Sequence, residues 1–195
     1  MVLPVSDRFA RRGLPAEQLI DRPAPRLEAA YDGAVSDSEP SAGGATLVLW
    51  MGPQDANIAG SVHGGVVMKL CDEAAGIAAV KYSRQRVVTA AVDRMTFLVP
   101  IFVGELVTFS ASVNAVWRTS MEVGVRVDAE NPLTGELRHT NTAFLTIVAV
   151  DEHGRPVAVP PLEIRGAEAV RREREAQIRR ANRLAERERI REDRD

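Results

Sequence analysis

One cysteine, Cys71, occurs in 195 residues, so no intrachain disulfide can form and a reducing compartment is expected. The three histidines are scattered and, with a single thiol, offer no metal-ligand spacing. No metal and no cofactor is expected. Net charge is −2, with 25 basic residues against 27 acidic ones, which argues against the positive field of a nucleic-acid or anionic-membrane binder. No apolar run is long enough to span a bilayer, and Met1-Val-Leu-Pro-Val-Ser-Asp-Arg8 lacks the apolar core of a secretory signal. A cytoplasmic location, with neither nucleic acid nor membrane as partner, is therefore expected. Phosphate fingerprints are missing too. The stretch from Gly60 to Gly65 has neither the Lys-Ser/Thr of a P-loop nor the preceding strand and spacing of a dinucleotide turn.

What is present is ordinary for a folded domain with extensions: 45% apolar and 27% charged residues. Three regions differ in composition. Residues 1–44 are rich in Pro, Gly and Ala and read as a partly disordered arm, with a short helix near 16–20. Residues 45–162 form the expected core. Thr46-Leu-Val-Leu-Trp-Met51 is strand-like, and 62–82 reads as a helix apolar on most faces, hence buried. Period-two alternation then predicts strands at 86–99, 105–119, 120–130 and 136–151, joined by short turns. Within them, Met121-Glu-Val-Gly-Val-Arg-Val-Asp128 reads as one dry and one wet face. A sheet curled around one long helix is the simplest packing that covers such a helix. Residues 163–195 are dense in Arg and Glu, with Val170, Ile178, Leu184 and Ile190 as sparse apolar positions. The nearly balanced charges predict a solvated or oligomer-edge helix rather than a nucleic-acid tail.

The chemistry concentrates in Asp55-Ala-Asn-Ile-Ala-Gly-Ser-Val-His-Gly-Gly-Val-Val-Met-Lys-Leu-Cys-Asp72, a polar loop leading into the apolar helix. Gly64 and Gly65 either allow close packing or leave the first helical N–H groups bare for a carbonyl oxygen. His63 either caps the helix or serves as a general base. Cys71 follows His63 by eight residues, about 12 Å along a helix, which rules out a dyad and leaves Cys71 as a buried small hydrophobe. Asp72 reads as a lone carboxylate buried in an apolar helix, so it must be paired, hydrogen-bonded or facing a cavity, whereas Glu73 points about 100° away. A substrate oxygen on the Gly64 and Gly65 amides would lie roughly 10 Å from the same chain's Asp72. That is too far for water activation. If Asp72 is catalytic, an antiparallel second helix must bring its own Asp72, which means a two-fold dimer with composite sites.

This stretch resembles the hotdog-fold acyl-CoA thioesterases of the brain cytosolic acyl-CoA hydrolase and bacterial YciA type. Further agreement comes from Val87-Val-Thr-Ala-Ala-Val-Asp-Arg-Met-Thr-Phe-Leu-Val-Pro100 with Gly104-Glu105, from Ser120-Met-Glu-Val123, and from Gly154-Arg-Pro-Val-Ala-Val-Pro-Pro161. The resemblance runs from about 45 to 162. It implies an α+β hotdog fold, an antiparallel sheet wrapped around one long central helix, double-hotdog dimers and commonly a hexamer, a trimer of dimers. It implies hydrolysis of acyl-CoA to a free acid and CoA, with Asn57 and Asp72 as the functional pair. The partner's Asp72 would be general base, Asn57 would orient water or carbonyl, and His63, Gly64 and Gly65 would surround the thioester oxygen. Candidate cations for the CoA phosphates are Lys81, Arg84, Arg86, Arg94 and Arg118, with Ser120 on the pantetheine path. A non-catalytic acyl-CoA-binding hotdog, a sensor or scaffold, is the alternative; it would keep the glycines but would not need Asp72. A hotdog dehydratase would want an aspartate–histidine pair where this chain has Asn57 and His63. The N-terminal arm lacks a helix-turn-helix pattern, which argues against a DNA-binding regulator.

Overall fold

Alternating apolar side chains build a six-stranded antiparallel sheet, and one alanine-rich helix lies along its inner face. The computed structural model describes residues 43–93 and 95–193. The expected helix near 16–20 and Arg94 lie outside the described residues. Strands β1 (Ala45–Trp50), β2 (Arg86–Val92), β3 (Thr96–Phe97), β4 (Leu106–Val116), β5 (Ser120–Asn131) and β6 (Glu136–Val150) are joined by two helices, α1 (Gly64–Ser83) after β1 and α2 (Gly166–Glu192) after β6. The sheet order is β1-β4-β5-β6-β2, with β3 also on β6. Residues Pro40–Asp195 form one compact unit. Among the described residues, no helix is long and apolar enough to cross a membrane.

The core is the contact between the inner sheet face and one side of α1. Phe109, Met121, Val123, Val125, Leu145 and Ile147 meet Val67, Leu70, Cys71, Ala74, Ala75, Ala78 and Ala79. The four alanines have almost no side chain to hold the helix off the sheet, and all four are fully buried. Burying each large apolar side chain contributes about 1.5–3 kcal/mol, so this one interface dominates the fold.

Three expectations need correction. The helix begins at Gly64, and it is buried on one side only: Met68, Ile77 and Val80 are 47%, 42% and 45% exposed. A sheet on one side covers one side. The expected strand 86–99 is two strands: the β2 ladder runs to Val92↔Leu145, the Asp93 amide still donates to the Phe144 carbonyl, and pairing resumes at Thr96↔Thr142 and Phe97↔Asn141. The outward face of β5 is partly dry: Glu122 and Gly124 are buried. Gly124 leaves room there for Asn114, whose Nδ2 would lie 2.6 Å from any added Cβ.

α2 supplies the cover. It packs against the outer sheet face through buried Ala176 and a row of arginines. Arg179 forks onto Glu122 (Nη2 to Oε1 2.7 Å, Nε to Oε2 3.1 Å) and stacks 3.6 Å from the Phe144 ring centroid. Arg180 stacks on Trp117, and Arg183 reaches both oxygens of Asp93. The opposite side keeps the solvated character read from composition, with Arg171 bridging Glu168 and Glu175.

Candidate active site

The loop before α1 is built by hydrogen bonds that its own sequence supplies. Asn57 Oδ1 accepts from the Ala59 amide at 2.8 Å, and Asn57 Nδ2 donates to Ser61 Oγ at 3.0 Å. The turn closes as the Gly60 amide donates to the Asn57 carbonyl, with Gly60 at φ 84°, a left-handed value suited to glycine. The loop then pairs with the segment after β3: the Val62 amide donates to the Ile101 carbonyl at 2.8 Å.

His63 is the N-cap of α1. Its Nδ1 accepts from the Gly65 amide at 2.9 Å, so the ring nitrogen facing the helix is the acceptor. Of the two glycine amides, Gly65 N–H is thus taken, and Gly64 N–H has no partner among the described residues. The Phe97 ring lies 3.4 Å from where a Gly64 Cβ would stand. Gly64 also lines an open cleft of about 300 Å³, walled by Ser61, Val62, Gly64 and Val67 on one side and by Phe97 to Ile101 on the other, most of their side chains apolar. An apolar slot ending at an open helix N-terminal donor can hold an apolar chain and polarise a carbonyl at its end.

Asp72 is not buried, contrary to the expectation for an acid in an apolar helix. It stands on the outward side of α1, where Thr89 Oγ1 donates to its Oδ1 at 2.5 Å. The same outward side of α1 exposes Met68, one turn before Asp72, and further along Ile77 and Val80. Cys71 points inward, and burial, reinforced by the Asp72 charge, pushes its thiol up to about 12. It is inert, as expected of a buried small hydrophobe.

The structure therefore forms three pairs, Asn57–Ser61, His63–Gly65 and Asp72–Thr89, and no hydrogen bond joins one pair to another among the described residues. Two of the CoA-binding candidates, Arg86 and Ser120, lie toward the Thr89 end of the sheet and on its outer face, alternating with core-side Val87 and Met121. Arg86 pairs across from Val150 and Ser120 from Val148, and exposed Arg118 precedes Ser120. Phe97 pairs with Asn141, about 23 Å along β6 from Val148 at a strand's rise per residue. Within one protomer, Arg86, Arg118 and Ser120 thus sit at the end of the sheet away from Gly64. Thr89 is the participant that sequence reasoning missed. It lies in the Val87-Val-Thr stretch, but nothing in the periodicity distinguishes its hydroxyl from any other strand threonine.

Residues 59–136 match the family model described as Thioesterase superfamily. The chain is 42% identical over 120 residues to the VdlD protein of Helicobacter pylori, which covers 62% of this chain and 68% of that protein. A crystal structure of an apo-hexameric acyl-CoA thioesterase superposes with a TM-score of 0.72 at 38% identity, covering 74% of this chain and 93% of the other. The chain belongs to the thioesterase superfamily. Its curled sheet around α1 is that superfamily's hotdog fold. A third relative, the acyl-CoA hydrolase of Staphylococcus aureus solved with butyryl-CoA, CoA and CoA disulfide, has a TM-score of 0.72 at 29% identity, covering 77% and 92% of the two chains. Alanine variants of that hydrolase have been solved at an asparagine, an aspartate and a threonine. The two spacings between those three positions equal the spacings between Asn57, Asp72 and Thr89 in this thioesterase.

Proposed function

We propose that the chain hydrolyses acyl-CoA thioesters, and that each site is shared between two copies. The observation that carries this reading is Asp72: an exposed carboxylate held by Thr89, on a side of α1 that also exposes Met68, Ile77 and Val80. A charge in an apolar surface is well placed for catalysis once a second copy covers that surface, because exclusion of water strengthens its action on a bound reactant. β2 ends the sheet path beside it, so a two-fold pairing there would bury the same surface.

In the proposed cycle the acyl chain lies in the slot beside Phe97, and the thioester oxygen accepts from Gly64 N–H. Asp72 of the second copy takes a proton from water while the water oxygen bonds to the thioester carbon. The oxyanion collapses, the carbon–sulfur bond breaks, and the CoA sulfur leaves as a thiolate that takes up a proton. Asn57 orients the water or the carbonyl. His63 shapes the donor by holding the Gly65 amide. Arg86, Arg118 and Ser120, at the Asp72 end of the sheet, would meet the CoA moiety, with Arg94 in the same role. The hexameric relative supports a trimer of dimers, and the single buried cysteine supports a cytoplasmic setting.

Thiol release from acetyl- to palmitoyl-CoA, with wild type and variants, tests the assignment. Asp72→Ala and Asn57→Ala should each lower turnover at least about a hundredfold, about 2.7 kcal/mol of barrier. Near-normal turnover by Asp72→Ala would sink it, and acyl-CoA binding without hydrolysis by wild type would instead mark a sensor or scaffold. Mixing the two variants should restore part of the activity. No recovery despite proven subunit exchange would argue against shared sites.

A further inference from the structure

The cavity wall from Phe97 to Ile101 is held by a half-buried ion pair that plays no part in the chemistry proposed above. Glu105 is 7% exposed, and its Oε1 pairs with Arg138 Nη2 from β6. Both groups spend their remaining capacity on one segment. Arg138 Nη1 donates to the Pro100 carbonyl at 3.1 Å, and Glu105 Oε2 accepts from the Phe102 amide at 2.9 Å. The guanidinium also lies 5.9 Å from the Phe102 ring centroid. Within the segment Ile101, 4% exposed, is seated in the core, whereas Leu98 and Phe102 on either side of it are 61% and 46% exposed and pack little of their own surface. Its main-chain ties run to both sides: Leu98 N–H to the Thr140 carbonyl on one, and on the other the Ile101 carbonyl to Val62 N–H within the Ser61↔Phe102 bridge, while Glu105 N–H closes the turn on the Phe102 carbonyl. The second tie leads directly into His63 and Gly64, so the clamp acts on both walls of the slot.

We infer that Glu105 and Arg138 are positioning residues that set the acyl-chain specificity of the slot. This rests on the acyl-CoA reading above. A fork with fixed geometry holds Pro100 and Phe102 at one distance from the sheet, which fixes how far the wall stands from Val67 and so the width offered to an acyl chain. Loosening the clamp lets the wall move and penalises the chains that touch it along their length. Short acyl groups, which reach only the donor end, depend on it less.

The test compares kcat and KM from acetyl- to palmitoyl-CoA for wild type, Arg138→Met, Arg138→Lys and the charge-free pair Glu105→Gln with Arg138→Met. The pair covers the case in which the single Met variant leaves Glu105 uncompensated and fails to fold. Amide exchange over residues 98–102 is read in parallel. Expected are a fall of about tenfold or more in the long-to-short ratio of kcat/KM, expressed mainly in KM, and faster exchange across the segment. Arg138→Lys, which keeps the charge but loses the fork, should fall between. An unchanged length profile, or an equal loss at every length, would overturn the inference. If wild type hydrolyses no acyl-CoA the functional reading fails instead, and the exchange measurement still decides whether the clamp holds the wall.

Discussion

Thr89 Oγ1 donates to Asp72 Oδ1 at 2.5 Å, tying the edge strand β2 to the outward side of α1. The bond forms where β2 slips register between Thr89 and Ala91, a bulge of the kind that re-aims side chains. The hydroxyl fixes which carboxylate oxygen stays open. Thr89→Val keeps the shape and removes the donor; a hydrogen bond to a charged group contributes about 1.5–3 kcal/mol, so kcat should drop by about ten- to a hundredfold. Thr89→Ser should recover most of it. Steady-state kinetics showing an unchanged kcat for the valine variant would leave the bond with no catalytic role.

His63 is assigned to the helix cap rather than to proton transfer, and the two roles separate by substitution. Asparagine caps a helix well, so His63→Asn should keep both stability and turnover. His63→Ala should lose about 0.5–2 kcal/mol of stability, read by denaturant unfolding. A His63→Asn variant that folds normally yet turns over poorly, with the acid limb of its pH–rate profile gone, would make the ring a base after all.

These assignments mark where the sequence was legible. Period-two alternation and glycine- or proline-marked turns placed β4, β5 and β6 within a few residues, because each strand has one face on the core. The Asn57 loop and the start of α1 were legible because capping and turn residues act locally. Pairings between distant segments were not. Glu122 alternates like a solvent-facing residue and is instead covered by a guanidinium 57 positions later. The arginines of α2 read as solvated because their charges are balanced nearby, yet Arg179, Arg180 and Arg183 lie on one side of the helix and find acids or rings on the sheet. Asp72 was expected to be buried because a helix apolar on most faces looks buried. An apolar outer face also results where a surface stands ready for another copy.

Cys71 gives a test of the core itself. Burial and the neighbouring Asp72 charge raise its thiol from 9.0 to about 12, so the native chain should not react with a thiol-specific disulfide reagent at pH 8. One equivalent should react per chain in guanidinium. The same shift has a pH consequence. The unfolded chain ionises near 9 and the folded chain only near 12, so between them the unfolded state binds fewer protons and stability falls as pH rises. Cys71→Ala should flatten that alkaline slope in unfolding curves taken from pH 8 to 10.5. An equal slope in both proteins would place its origin elsewhere.

The strongest stability prediction concerns α2. Glu122 is fully buried on the outer face of β5, and its partners are Arg179 and Asn114 Nδ2 at 3.2 Å. Removing Arg179 leaves a desolvated carboxylate with one neutral donor, so Arg179→Ala should cost about 3–5 kcal/mol, whereas Arg174→Ala on the exposed side should cost little. The asymmetry is diagnostic. Most of the loss comes from the stranded charge rather than from the pair's net worth, so Arg179→Met combined with Glu122→Gln should recover much of it. Denaturant midpoints for the single and double variants measure this directly. If Arg179→Ala matched Arg174→Ala, Glu122 would have to reach water without α2, and the helix would be an ornament on the sheet rather than part of its outer layer.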